Sequence, residues 1–127
     1  EDAAELLVGA RYHNQSNPDL AAACLERVLE LSSRPGERRR ALSELARLQR
    51  RCGHQQRAAE HWQALCDEFP DHDEGHIELA KHHEHITKDL EVALRHAESA
   101  PHSLRPEIQH RLARLRRRLQ LAASPQG

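Results

Sequence analysis

Methionine is missing from the 127 residues, and aromatic rings nearly so: Tyr12, Trp62 and Phe69 are the full set. Strand-built domains draw on aromatic and β-branched side chains, so their scarcity argues against a sheet. No apolar run approaches the roughly eighteen residues a membrane-spanning helix needs. No basic stretch leads into an apolar one, as it would in a secretory signal. Cysteine is sparse and odd in number: Cys24, Cys52 and Cys66, with no C-x-x-C spacing. A disulfide framework is therefore not expected, and a reducing, cytoplasmic compartment is. The five glycines form no P-loop and no G-x-G-x-x-G, and no serine stands in G-x-S-x-G. Net charge is also lacking, since 19 basic residues face 20 acidic ones. That balance excludes a uniformly basic nucleic-acid binder and leaves local patches open. With Glu1 first and no methionine, the chain reads as a segment of a longer protein.

What the chain does contain is Ala, Leu, Glu, Arg and Gln, all helix formers, so the expected class is all-α. Three segments line up as internal repeats. Val8-Gly9-Ala10-Arg11-Tyr12 is followed by Ala21, Leu25 and Val28; Leu45-Ala46-Arg47-Leu48-Gln49 by Ala58, Trp62, Leu65 and Pro70; Leu79-Ala80-Lys81-His82-His83 by Ala93, Ala97 and Ala100. A small residue in each first helix (Gly9, Ala46, Ala80) and one opening each second helix (Ala21, Ala58, Ala93) would let the pair approach closely. A large residue four positions on (Leu25, Trp62) would fill the space beyond, so Trp62 is expected to be buried. This pattern, with a spacing of 34 to 37 residues, resembles the tetratricopeptide repeat. The third segment departs from it, carrying Ala97 where a large residue is usual and an extra residue in its turn. The resemblance implies an α-solenoid of three TPR-like helical hairpins plus a C-terminal capping helix.

Local signals set the boundaries. Asn17-Pro18-Asp19 reads as an N-cap with proline at the first helical position. Gly53 suits a helix C-terminus. Asp71 and Asp73 after Pro70 are cap candidates, and Pro101 and Pro106 bracket a break. Helices are expected near 3–14, 19–32, 36–52, 56–68, 74–87, 89–99 and 105–121. They make one domain over 1–121, with repeats at about 2–34, 36–70 and 73–101, a capping helix at 105–121 and a flexible tail at 122–127. In the last helix Ile108, Leu112, Leu115 and Leu119 form one stripe, as a terminal helix closing a solenoid would.

Charge falls in blocks. Residues 1–33 carry net −4, 34–51 net +5, 60–92 net −8 and 103–121 net +5. In tetratricopeptide repeats the first helix of each pair lines the concave face. The alignment then places Arg40, Ser43, Arg47, Arg50 and Arg51 on the groove from the second repeat. The third contributes Glu74, Ile77, Lys81, Glu84 and His85, and the first Ala3, Leu6, Ala10, His13 and Asn14. Arg40, Arg47, Arg50, Arg51 and Lys81 are thus the candidate ligand-binding residues, suited to an acidic peptide, a C-terminal carboxylate or a phosphate backbone. The alternative is solvated arginine paired locally with Glu37 and Glu44. The carboxylate clamp of chaperone-binding repeats is not matched, because Leu6 and Ala10 stand where it needs polar side chains.

Eleven histidines invite a metal reading, densest at His72, His76, His82, His83 and His85. His76 and His83 share a helix face. Yet Thr87 breaks H-E-x-x-H, Lys81 breaks H-x-x-E-H, and no nearby cysteine completes a site. Structural or surface histidine is the expectation, with no metal and no cofactor. Acid pairs such as Asp71/Asp73 and Glu78/Glu84 read as caps and solvated faces, and no catalytic constellation is found.

Residues 76–119 carry a further pattern. Glu78-Leu79-Ala80-Lys81-His82-His83-Glu84-His85 continues into Lys88-Asp89-Leu90-Glu91-Val92-Ala93-Leu94-Arg95, and later into His110-Arg111-Leu112-Ala113-Arg114-Leu115. This resembles the C-terminal helical region of YprB-type proteins, whose separate N-terminal domain is a ribonuclease-H-like exonuclease. The resemblance implies a helical accessory module, with the metal-binding carboxylates of that nuclease on another domain. The expected function is a non-catalytic protein-interaction scaffold. Its partner would be a protein or peptide, acidic ones included, or the parent protein's own catalytic domain. A nucleic-acid-holding accessory surface is the second choice, and no membrane role is expected. Low aromatic content disfavours base stacking on single strands.

Overall fold

The computed structural model describes residues 2–123. It contains α1 (Ala3–His13), α2 (Pro18–Leu31), α3 (Pro35–Arg51), α4 (Gln55–Glu68), α5 (Glu74–His85), α6 (Leu90–Ser99) and α7 (Pro106–Ala123), with no strand among the described residues. No helix among them is long and apolar enough to cross a membrane. The chain divides into two compact units, Glu1–Phe69 with α1 to α4 and Pro70–Gly127 with α5 to α7.

In the first unit each helix packs on the next, and α1 also touches α3. Capping sets the boundaries. Asp2 accepts from the Glu5 amide at 2.8 Å and Asn17 from that of Leu20 at 3.2 Å. Pro18 and Pro35 occupy the first helical positions of α2 and α3, where a missing N–H costs nothing. Gly53, at φ +82°, ends α3. The His54 amide donates to the Gln49 carbonyl and that of Gly53 to the Arg50 carbonyl, a Schellman closure.

Leu7, Ala10, Ala21, Leu25, Val28, Ala41, Leu45 and Leu48 form one buried cluster here, and Trp62 is 2% exposed. Arg38 closes the far end. Its guanidinium donates to Glu68 at 2.6 and 3.2 Å, and to the carbonyls of Leu29 (2.7 Å) and Ser32 (3.2 Å) at the end of α2. The last carbonyls of a helix have no partner within it, and here one side chain ties α2, α3 and α4 together. The close-approach role expected of Gly9 is not required. A Cβ there would meet Cys24 Sγ at 3.9 Å, an ordinary contact. Ala46, by contrast, is fully buried.

In the second unit α5 packs on α6 and α6 on α7. Ala80, Ala93, Ala97 and Ala100 meet the α7 stripe of Ile108, Leu112 and Leu115 in one core. Helix α5 stops at His85, short of the expected 87. Lys88 adopts φ +62°, and Asp89 caps α6 by accepting from the Val92 amide at 3.2 Å. The extra turn residue seen in the sequence is thus absorbed by one left-handed position. Helix α7 continues to Ala123; the part of the expected tail at 124–127 lies outside the described residues.

Candidate functional site

Two of the clefts in the first unit run along α1 and α3. One, of about 530 Å³, is lined by Ala4, Leu7, Val8, Arg34, Gly36, Glu37 and Arg40. Val8 is 67% exposed, so an apolar side chain stands uncovered beside it. The other, of about 150 Å³, is lined by Arg11, Asn14, Glu44, Arg47 and Arg51. Glu44 is the only acid there, and its carboxylate already takes the Arg40 guanidinium at 3.0 Å. Arg51 donates to Asn14 Oδ1, which links the end of α3 to the end of α1. Three guanidinium groups and one carboxylate line this cleft.

The expected site residues therefore separate. Arg47 and Arg51 share the small cleft and Arg40 lines the larger one, whereas Arg50 lines neither. Lys81 belongs to the second unit, where it pairs with Glu78 at 3.1 Å. The local alternative, arginine satisfied by Glu44, holds for Arg40, while Glu37 instead accepts from Ser32 Oγ at 2.7 Å. Several groove positions need correction. Ala3, Ala10 and Ser43 are buried, because the core needs those faces. The residues of α1 that line the clefts are Ala4, Leu7, Val8 and Arg11, with Asn14 just past its end. Arg11 was missed; its i, i+3 relation to Val8 and Asn14 was the available signal.

A second correction concerns the acids of the second unit. Glu84, expected on a solvated groove, has a side chain only 1% exposed. It accepts from Arg111 at 2.7 Å, from Arg114 at 2.9 and 3.0 Å, and from Arg118 at 3.3 Å. Burial alone would raise its pKa, but the hydrogen bond and charge of Arg114, then Arg111 and His85, outweigh burial and hold the carboxyl below its ordinary value. Arg111, Arg114 and Arg118, spaced 3 and 4, share one face of α7. Asp73 does stand at the start of α5, yet it caps nothing with its side chain. It accepts instead from the His102 amide at 2.8 Å and lies 3.0 Å from His102 Nδ1 and 3.3 Å from Arg105. The carboxylate pins the α6–α7 connection.

The histidines form the third feature. His96 of α6 stacks on His83 of α5, with centroids 5.6 Å apart and planes within 4°. His76 lies 6.2 Å from His96, and His82 meets His83 edge-on at 5.0 Å. No group of three or more His, Cys, Asp or Glu residues among the described ones is placed to hold a metal. The buried Cys66 thiol is pushed up to about 11 by burial and by Asp67, which removes its thiolate at neutral pH. Comparison with protein-family models gives no match, and no curated protein matches the chain.

Proposed function

We propose that the chain is a non-catalytic protein-interaction module, built from TPR-like helical hairpins with α7 as a closing helix, and that its α1–α3 face takes an acidic peptide segment. The observation that carries this reading is the basic cleft of Arg11, Arg47 and Arg51 beside the partly apolar cleft at Val8. A carboxylate can be held bidentately by guanidinium groups while an apolar neighbour covers Val8. Repeated helix pairs in the sequence and helices packed on their neighbours support the hairpin description. Attachment to a ribonuclease-H-like exonuclease belongs to the same proposal, on the resemblance of residues 76–119.

The nucleic-acid reading has less support. Four of the α7 arginines, Arg111, Arg114, Arg116 and Arg118, are engaged by Glu84 or Glu98, which reduces the charge they can offer a phosphate backbone. A titration of an acidic peptide and of a duplex, each at low and high salt, tests both. The peptide should bind, and the double variant Arg47→Glu/Arg51→Glu should abolish binding with helicity unchanged. Tighter binding of the duplex with a steep salt dependence would favour the nucleic-acid role. Binding of neither ligand would reject this face as a site.

A further inference from the structure

We propose that the α5–α6 seam of the second unit is an acid-sensitive latch: protonation of His76 and His96, which pack with His83 across that seam, loosens α6 from α5, while the Glu84–arginine cluster keeps α5 tied to α7.

The geometry carries the proposal. Two imidazoles from α5 flank one from α6, and the His83–His96 stack crosses the seam with parallel rings. Stacked neutral rings attract through their faces, but two imidazolium rings at this separation repel. His76 Nδ1 is buried with no hydrogen-bond partner, so a proton placed there gains no acceptor. His83 Nδ1 lies 2.9 Å from Thr87 Oγ1, a neutral neighbour.

The facing charges do not relieve this arrangement. Asp73 favours the charged form of His76, but burial outweighs it and lowers that pKa. His82 is lowered by burial and then by His83. His96 is pushed down to about 4, first by burial, then by His83, His76 and Arg95. Elsewhere around the seam Lys81 pairs with Glu78, and from α7 Arg116 pairs with Glu98. Arg111, Arg114 and Arg118 converge on Glu84, and His85 approaches it at 3.7 Å.

The sign follows from linkage. The unfolded imidazole takes its proton near 6.5, whereas folded His96 resists until about 4. The contribution of the neutral seam is complete above 6.5 and is lost as pH falls toward 4. Glu84 behaves differently, because its carboxyl is held below 4.5 and stays ionised through most of that window. Acid therefore acts on α5–α6 before it acts on α5–α7.

Hydrogen exchange on the full chain, corrected for intrinsic rates, tests this at about pH 7.5 and about pH 5. Protection in α6 should fall on the order of tenfold at the lower pH, with α1 to α4 little changed. His96→Leu keeps an apolar filler without the charge and should remove most of that fall. His110→Leu, an exposed ring on α7, should leave it intact. In parallel, proton NMR of the wild type should show His96 titrating well below the ordinary imidazole range. That second reading stands even if His96→Leu fails to fold. Equal loss of protection in all seven helices, no loss in α6, or an ordinary titration of His96 would each overturn the latch.

Discussion

The two units solve the same packing problem with different chemistry. The first buries large apolar side chains, Leu7, Leu25, Leu45, Trp62 and Leu65, and keeps its ion pairs at the rim. The second aligns alanines at its α5–α6 seam, takes its bulk mainly from α7, and buries a carboxylate. Alanine removes little area from water, so an alanine seam contributes less per residue than a leucine one. The second unit adds Glu84 with its three arginines and the imidazole rings of the α5–α6 seam. The interactions of such groups depend on their protonation state. The contrast teaches that helical hairpins of one general pattern can differ in their response to pH when their cores differ in ionisable content.

The sharpest way to break the comparison is Trp62→Ala. Truncating a core aromatic costs about 3–5 kcal/mol, and denaturant melts followed by helicity should show it as a loss confined to the first unit. A loss below about 1 kcal/mol would mean that the first core does not depend on its large residues. Glu84→Gln addresses the second unit. Breaking a buried pair costs about 3–5 kcal/mol, and the partial hydration of Arg114 and Arg118 reduces this to about 2. Thermal melts at neutral pH should show that loss. Because the carboxyl is held below 4.5, the wild type should also lose stability as pH falls through that lowered value, and the glutamine variant should lack that slope. The smallest effect is Gly9→Ala. A Cβ fits there, so replacing a mid-helix glycine should stabilise the first unit by about 0.5–1 kcal/mol. A destabilisation in the same melt would show that α1 and α2 sit closer than the 3.9 Å clearance to Cys24 implies.

Much of the architecture was legible because helix boundaries follow short-range rules. Asn17-Pro18, Gly53 and Pro106 each mark a terminus within a residue or so of its observed place. The α7 stripe was readable from its spacing alone, since period decides which side faces a core. Less legible was the line of α1 that meets α3: alignment to a repeat chose Ala3 and Ala10, but α1 is rotated so that both are buried and Arg11 is outward. Rotation about a helix axis is set by the partner surface, which short-range spacing does not contain. Glu84 was misplaced for a related reason. A glutamate between histidines reads as solvated until the arginines about 30 residues later are known to fold over it. The groups that came together at the histidine seam lie 7 and 13 residues apart in sequence, on either side of a turn that holds the left-handed Lys88.

One consequence of the uneven aromatic supply concerns light. Tyr12, Trp62 and Phe69 all belong to the first unit, and residues 70–127 hold none of the three. Intrinsic fluorescence and near-ultraviolet absorption therefore see one half of the chain. An optical melt at those wavelengths passes over any opening at α6, while the imidazoles of the second unit stay dark. A tryptophan introduced at an exposed position such as Leu104 would give that half its own signal.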